Sequence, residues 1–128
     1  RAAFEQLEKI PDVLAYHSSI ENFYPINTVD FTFTKTVLIH INPRALNIVY
    51  EKLYSCSNRY VLLVEYYNPT PIEVSYRGHS GKLFKRDFAG EMLAHYPDLQ
   101  LIDYGFVYHK DTFYQDDVTW FLMEKVVT

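Results

Sequence analysis

Residues 59–71 read RYVLLVEYYNPTP. The run YVLLV (60–64) is continuously apolar, the pattern of a strand covered on both faces. It then breaks into an acid, two tyrosines, an asparagine and two prolines. Proline fixes the backbone dihedral φ, so the polar groups around Pro69 and Pro71 can be held in place. Ligands of open α/β sheets bind outside the carboxyl ends of the strands. The stretch is therefore expected to be the mouth of a site, where a parallel strand leaves its sheet.

Outward from this strand, RAAFEQLEKI (1–10) has helical spacing at Ala3, Phe4, Leu7 and Ile10. Pro11 ends it. DVLAYHSSI (12–20) reads as a short strand, and 21–30 as a loop rich in turn formers. FTFTKTVLIHI (31–41) reads as a strand that becomes ambiguous after Lys35. NPRALNIVYEKLYSCS (42–57) reads as a helix, with Asn42 at the N-cap and Pro43 behind it. Its apolar stripe is expected to be Ala45, Ile48, Val49, Leu53 and Cys56.

Residues 68–84 hold two prolines and two glycines and show no clear period. They read as a long connection of the kind that often carries function. KRDFAGEMLAHY (85–96) reads as a helix with Phe88, Met92 and Leu93 inward. Residues 99–110 and 118–127 read as two strands of a C-terminal antiparallel hairpin. Strand and helix alternate through most of this order, which argues an α/β sheet with helices on its faces.

The 128 residues fit one domain, and 48% apolar content supplies a core. Twelve basic residues against sixteen acidic give a net charge of −4, with no basic patch to favour nucleic acid. Apolar runs are too short to span a membrane, and no leader pattern opens the chain. The single cysteine, Cys56, excludes an internal disulfide framework and suits a reducing cytoplasm. Aromatic residues reach 17%, and twelve of them are tyrosine, a side chain suited to half-buried, wet surfaces.

CSNRYVLLVEYYNPTPIEVSYRGH (56–79), KLFKRDFAGEML (82–93), IDYGFVYH (102–109) and QDDVTWFL (115–122) closely resemble segments of methylases associated with bacterial pseudaminic acid biosynthesis. The order of elements resembles the back portion of class I S-adenosylmethionine-dependent methyltransferases. That resemblance implies a partial Rossmann-like sheet without its first two strands and Gly-rich loop. The four glycines, Gly78, Gly81, Gly90 and Gly105, form no G-x-G turn. RAAFEQLEKI matches the helix that follows the family's ribose-binding acid, so cofactor-binding sequence is expected upstream of Arg1. The chain alone is then expected to bind S-adenosylmethionine weakly and to be inactive.

The resemblance assigns the adenine to Ser18, Ser19 and Ile20, with Ser19 replacing the usual acid; a plain turn is the other reading. It assigns the methyl end of the cofactor to Thr34 and Lys35, where Lys35 could equally be a solvated lysine. Glu65 is the candidate to orient or deprotonate an acceptor, or else it anchors a loop. His40 is a second candidate base, or a satisfied structural histidine.

Tyr66, Tyr67, Asn68, Tyr76, Arg77 and His79 are the candidate substrate contacts. Arg77, Lys82, Lys85 and Arg86 could meet the carboxylate or phosphate of a sugar nucleotide, or form a solvated charge run. His109, Asp111, Asp116 and Asp117 match no standard metal spacing, so no metal is expected. The expected reaction is methyl transfer to a sugar or sugar-nucleotide hydroxyl or amine, with the oligomeric state left open. The alternative is a non-catalytic module that binds an acidic glycan or a partner protein.

Overall fold

The computed structural model describes residues 2–126, and the backbone alone for Tyr76 and residues 79–82. Three α-helices, α1 (Ala2–Leu7), α2 (Leu46–Ser55) and α3 (Phe88–His95), accompany six strands. These are β1 (Val29–Lys35), β2 (Ser57–Glu65), β3 (Ile72–Tyr76), β4 (His79–Lys85), β5 (Leu99–Val107) and β6 (Val118–Lys125). Four of them form one mixed sheet in the order β1-β2-β6-β5. β1 and β2 are parallel, and β6 is antiparallel to both β2 and β5. The C-terminal hairpin expected from sequence is thus present, with its return strand seated beside β2.

The core lies on one side of this sheet. Val61 and Leu63 of β2 and Met123 of β6 meet Val49, Tyr50 and Leu53 of α2 and Phe88, Ala89 and Met92 of α3. Pattern explains most of this. Asn42 accepts the Arg44 N–H at 3.0 Å and caps a 3-10 turn, Pro43–Ala45, that runs into α2. Asp87 accepts the Gly90 N–H at 2.9 Å and caps α3. A Cβ at position 90 would fall on the Asp87 carboxylate, so glycine there keeps the cap in place. A buried polar chain then joins the two helices. The Tyr50 hydroxyl donates to Glu91 at 2.7 Å, and Arg86 Nε donates to the other Glu91 oxygen at 2.6 Å.

The sequence expectation differs from the structure at four places. β2 is covered on one face only, because α2 and α3 pack on the same side. The alternate residues Leu62 and Val64 stay half-buried, and Phe33 of β1 is 59% exposed. The buried stripe of α2 is Leu46, Val49, Tyr50 and Leu53, while Ile48 is half exposed. The helix starts after the Pro43–Ala45 turn, and this start sets its phase.

Residues 12–20 form no strand. They run along the molecule without ladder bonds and end in a 3-10 turn at Ile20–Asn22. They are held by ring contacts, Phe4 with His17 and Tyr16 with Phe23, and by Ile20 against the core. Finally, 68–84 is not a structureless connection. β3 and β4 pair antiparallel around Arg77 and Gly78, whose φ values are +51° and +79°. Positive φ at both central residues is the two-residue turn whose twist matches a hairpin.

β1 is the end strand of the sheet, and its outer edge has no strand partner among the described residues. Gly105 of β5 lies opposite Trp120 of β6. The indole occupies the space a Cβ would need, with its Nε1 only 2.7 Å from that point. Among the described residues no helix is long and apolar enough to cross a membrane.

Leu63 is 1% exposed and Leu14 is 84% exposed. Urea denaturation should therefore show Leu63→Ala losing about 2–5 kcal/mol of stability. Leu14→Ala should stay within about 0.5 kcal/mol of the wild type.

Candidate functional site

β1 and β2 run side by side and finish together, with Lys35 paired to Val64. The next residue of β2, Glu65, is 3% exposed. Its carboxylate turns back under the segment that leaves β1. The Val37 N–H donates to one oxygen at 3.2 Å, and the Ile39 N–H donates to the other at 3.3 Å. Glu65 thereby supplies acceptors to the start of the 3-10 turn Leu38–His40, whose first N–H groups have no partner within the turn. The Thr34 hydroxyl, also buried, makes no hydrogen bond of ordinary geometry among the described residues. It still lies close enough to the carboxylate to favour its charged form. Burial outweighs these contacts and raises the Glu65 pKa above the usual carboxylate value.

Beyond Glu65 the chain emerges from the sheet. Tyr66 and Tyr67 form one wall of an open cleft of about 390 Å³, with Lys85 of β4 beside them. The Lys85 ammonium stands 5.5 Å from the centre of the Tyr66 ring, within reach of a cation–π attraction. Tyr67 leans on Phe121, with centroids 5.9 Å apart, and Phe121 stacks on Tyr104. The Asn68 amide donates to the carbonyl and hydroxyl of Thr70, which fixes the exit turn.

The opposite wall comes from the hairpin of β5 and β6: Phe106, Asp116, Asp117 and Thr119. Register puts Thr119 there, because it pairs with Glu65 on one side and Phe106 on the other. Asp117 has φ of +55° and is held by His109, whose backbone N–H lies 2.8 Å away and whose Nδ1 lies 2.9 Å away. The hydrogen bonds from His109 keep the Asp117 carboxyl below its usual pKa.

The residues singled out from sequence fall into separate places. Tyr66 and Tyr67 line the cleft, and Asn68 shapes its rim. Glu65 lies beneath it, with both oxygens engaged by backbone N–H groups. His40 is exposed on the turn that Glu65 supports. Arg77 is at the tip of the β3–β4 hairpin and shares neither the cleft nor the small void beside Glu65. The side chains of Tyr76 and His79 lie outside the described residues.

Ser18 and Ser19 are exposed, and Ile20 borders a cavity with Thr32, Leu53 and Cys56. Lys35 borders a different one, on the uncovered sheet face with Leu62, Val107 and Trp120. Ile20 and Lys35 thus border different cavities. Among the described residues, no group of three His, Cys, Asp or Glu side chains is arranged to hold a metal ion.

Lys85, Phe106, Asp116, Asp117 and Thr119 enter the site through hairpin register. The β3–β4 turn brings Lys85 back opposite Ile72, a few residues past the exit at Asn68. The positive-φ signal at Gly78 could have revealed this. No family model matches the chain, and no curated protein matches it.

A pKa raised by folding means that the protonated form of Glu65 is the one the fold favours. Its contribution to stability is full below the unfolded value of about 4.3 and is lost as pH rises through the folded value. Urea denaturation across this range, with Glu65→Gln as a non-titrating reference, should show the wild type losing stability relative to the variant as pH rises. A relative gain would mean that the N–H groups of Val37 and Ile39 outweigh burial.

Proposed function

We propose that this chain works as part of an S-adenosylmethionine-dependent methyltransferase acting on a sugar or sugar nucleotide, in the assembly of a surface glycan of the pseudaminic acid kind. The observation that carries this reading is the cleft at the carboxyl end of β2. It is built by Tyr66 and Tyr67 and the β5–β6 hairpin, which fall within the segments that carry the resemblance. Ligand crevices of α/β sheets form at this edge. The sheet supports the reading as well. Two adjacent parallel strands are followed by an antiparallel hairpin, and the helices of the described residues cover one face. In a partial Rossmann-like sheet, the open edge of β1 and its uncovered face are where further strands and helices belong.

On this reading the chain's own contribution is to hold the acceptor. Tyr66, Tyr67 and Phe106 offer ring faces to a sugar, and Lys85, Asp116 and Thr119 offer polar contacts to its substituents. Positioning of this sort supplies much of the acceleration of a two-substrate reaction. Glu65 acts by fixing the turn that ends β1 level with the cleft, and the acceptor's proton leaves to solvent or to a base outside this set. On this reading, binding of the cofactor draws on groups beyond Ser18, Ser19, Ile20, Thr34 and Lys35. A second reading, a non-catalytic module for glycans, is favoured by how open and aromatic the cleft is: Phe106 is 59% exposed and Tyr67 43%.

Two measurements separate these readings. Calorimetric titration of residues 1–128 with S-adenosylmethionine should show affinity weaker than micromolar. The chain joined to a segment that supplies a Gly-rich turn should transfer the methyl group, read by mass spectrometry as a gain of one methylene on a sugar-nucleotide acceptor. Glycan binding by either form without any transfer favours the module.

A further inference from the structure

The cleft carries two opposite charges that do not meet. Lys85 lines one wall and Asp116 the other, and no ion pair joins either of them to any of the described residues. The neighbouring cation in sequence is engaged: Arg86 pairs with Glu91 at 2.6 Å. Asp117, the next carboxylate, is occupied by His109. Among the described residues, the contact of Lys85 is with the Tyr66 ring. The space between these walls, about 390 Å³, falls within the range of small-molecule sites.

Each simpler ligand meets a mismatch here. A plain anion gains Lys85 but faces Asp116 and Asp117. A plain cation gains Asp116 and the already engaged Asp117 but faces Lys85. A neutral sugar hydrogen-bonds to both groups through its hydroxyls but compensates neither charge. We infer that the cleft binds a zwitterionic amino sugar, its anion at Lys85, its ammonium at Asp116 and its ring against Tyr66 and Phe106. A carboxylate or a phosphate would serve equally as the anion. The inference names the acceptor class for the site proposed above; its role in methyl transfer rests on that reading, but its binding does not.

The test is amide chemical-shift titration of the isotope-labelled chain, without S-adenosylmethionine. The zwitterionic probes are glucosamine 6-phosphate and muramic acid, which carry the two kinds of anion. Glucose 6-phosphate and glucosamine supply one charge each. At least one zwitterion should shift the amides of Tyr66, Tyr67 and Thr119, and it should bind about two- to fivefold more tightly than either single-charge analogue, the range expected of an exposed ion pair.

Asp116→Asn should bring the affinity for glucosamine 6-phosphate down to that for glucose 6-phosphate, whose own binding should not weaken. Lys85→Met should do the same with respect to glucosamine. Muramic acid binding without glucosamine 6-phosphate would assign the anion as a carboxylate, and the reverse would assign a phosphate. Absence of shifts at these amides, equal affinities for all probes, or variants that weaken every probe alike would overturn the proposal. Zwitterion binding with no methyl transfer in the joined protein would leave it standing and sink the methyltransferase reading. Transfer without charge preference would do the opposite.

Discussion

The interaction on which the rest depends is the burial of the Glu65 carboxylate beneath the turn that leaves β1. A carboxyl taken from water must keep its oxygens paired, and two backbone N–H groups, of Val37 and Ile39, do this, although burial still favours the protonated form. The contact ties the end of one parallel strand to the exit of its neighbour. Both strands then stop at the same level, and the chain beyond Glu65 has to turn outward. Tyr66 and Tyr67 reach the cleft for that reason. An apolar residue at 65 would fill the space but would leave the two N–H groups without acceptors.

A second constraint is that the helices cover one face. Their shared core holds β2 and β6, and the Tyr50–Glu91–Arg86 chain fixes α2, α3 and the end of β4 together. Arg86 follows Lys85 directly, so the same chain steadies the strand that carries the cleft's cation. The remaining wall depends on the β5–β6 register, with Asp117 locked by His109 at a backbone angle that few residues other than glycine adopt.

Much of this was legible in the sequence. The continuous apolar run 60–64, the Asn42–Pro43 start and the paired terminal strands each follow from local pattern. Tyr66 and Tyr67 were readable as lying at a strand exit because the apolar run ends just before them. Residues 12–20 hold a short apolar run like that of a strand, but such a run cannot say whether a partner strand exists. β2 is apolar on both faces, and composition cannot tell a covered face from a bare one. The β3–β4 hairpin was hidden because Arg77–Gly78 is a less familiar turn pair than Asn–Gly, and because Pro69 and Pro71 suggest a loop. Lys85 was readable as a candidate anion contact, but its place across one cleft from Phe106, Asp116 and Thr119 needed two hairpin registers, which no local pattern encodes.

The open edge of β1 has a colloidal consequence. Its sequence VDFTFTK places Phe31 and Phe33 on the uncovered face, and one row of its main-chain groups has no strand beside it. Such a strand is a template for another copy of itself. Stacked in parallel register, each Asp30 would lie over an Asp30 and each Lys35 over a Lys35. Like charges at both ends of the stretch therefore oppose fibre growth, and salt, by screening them, removes that opposition while leaving the phenylalanines as adhesive as before.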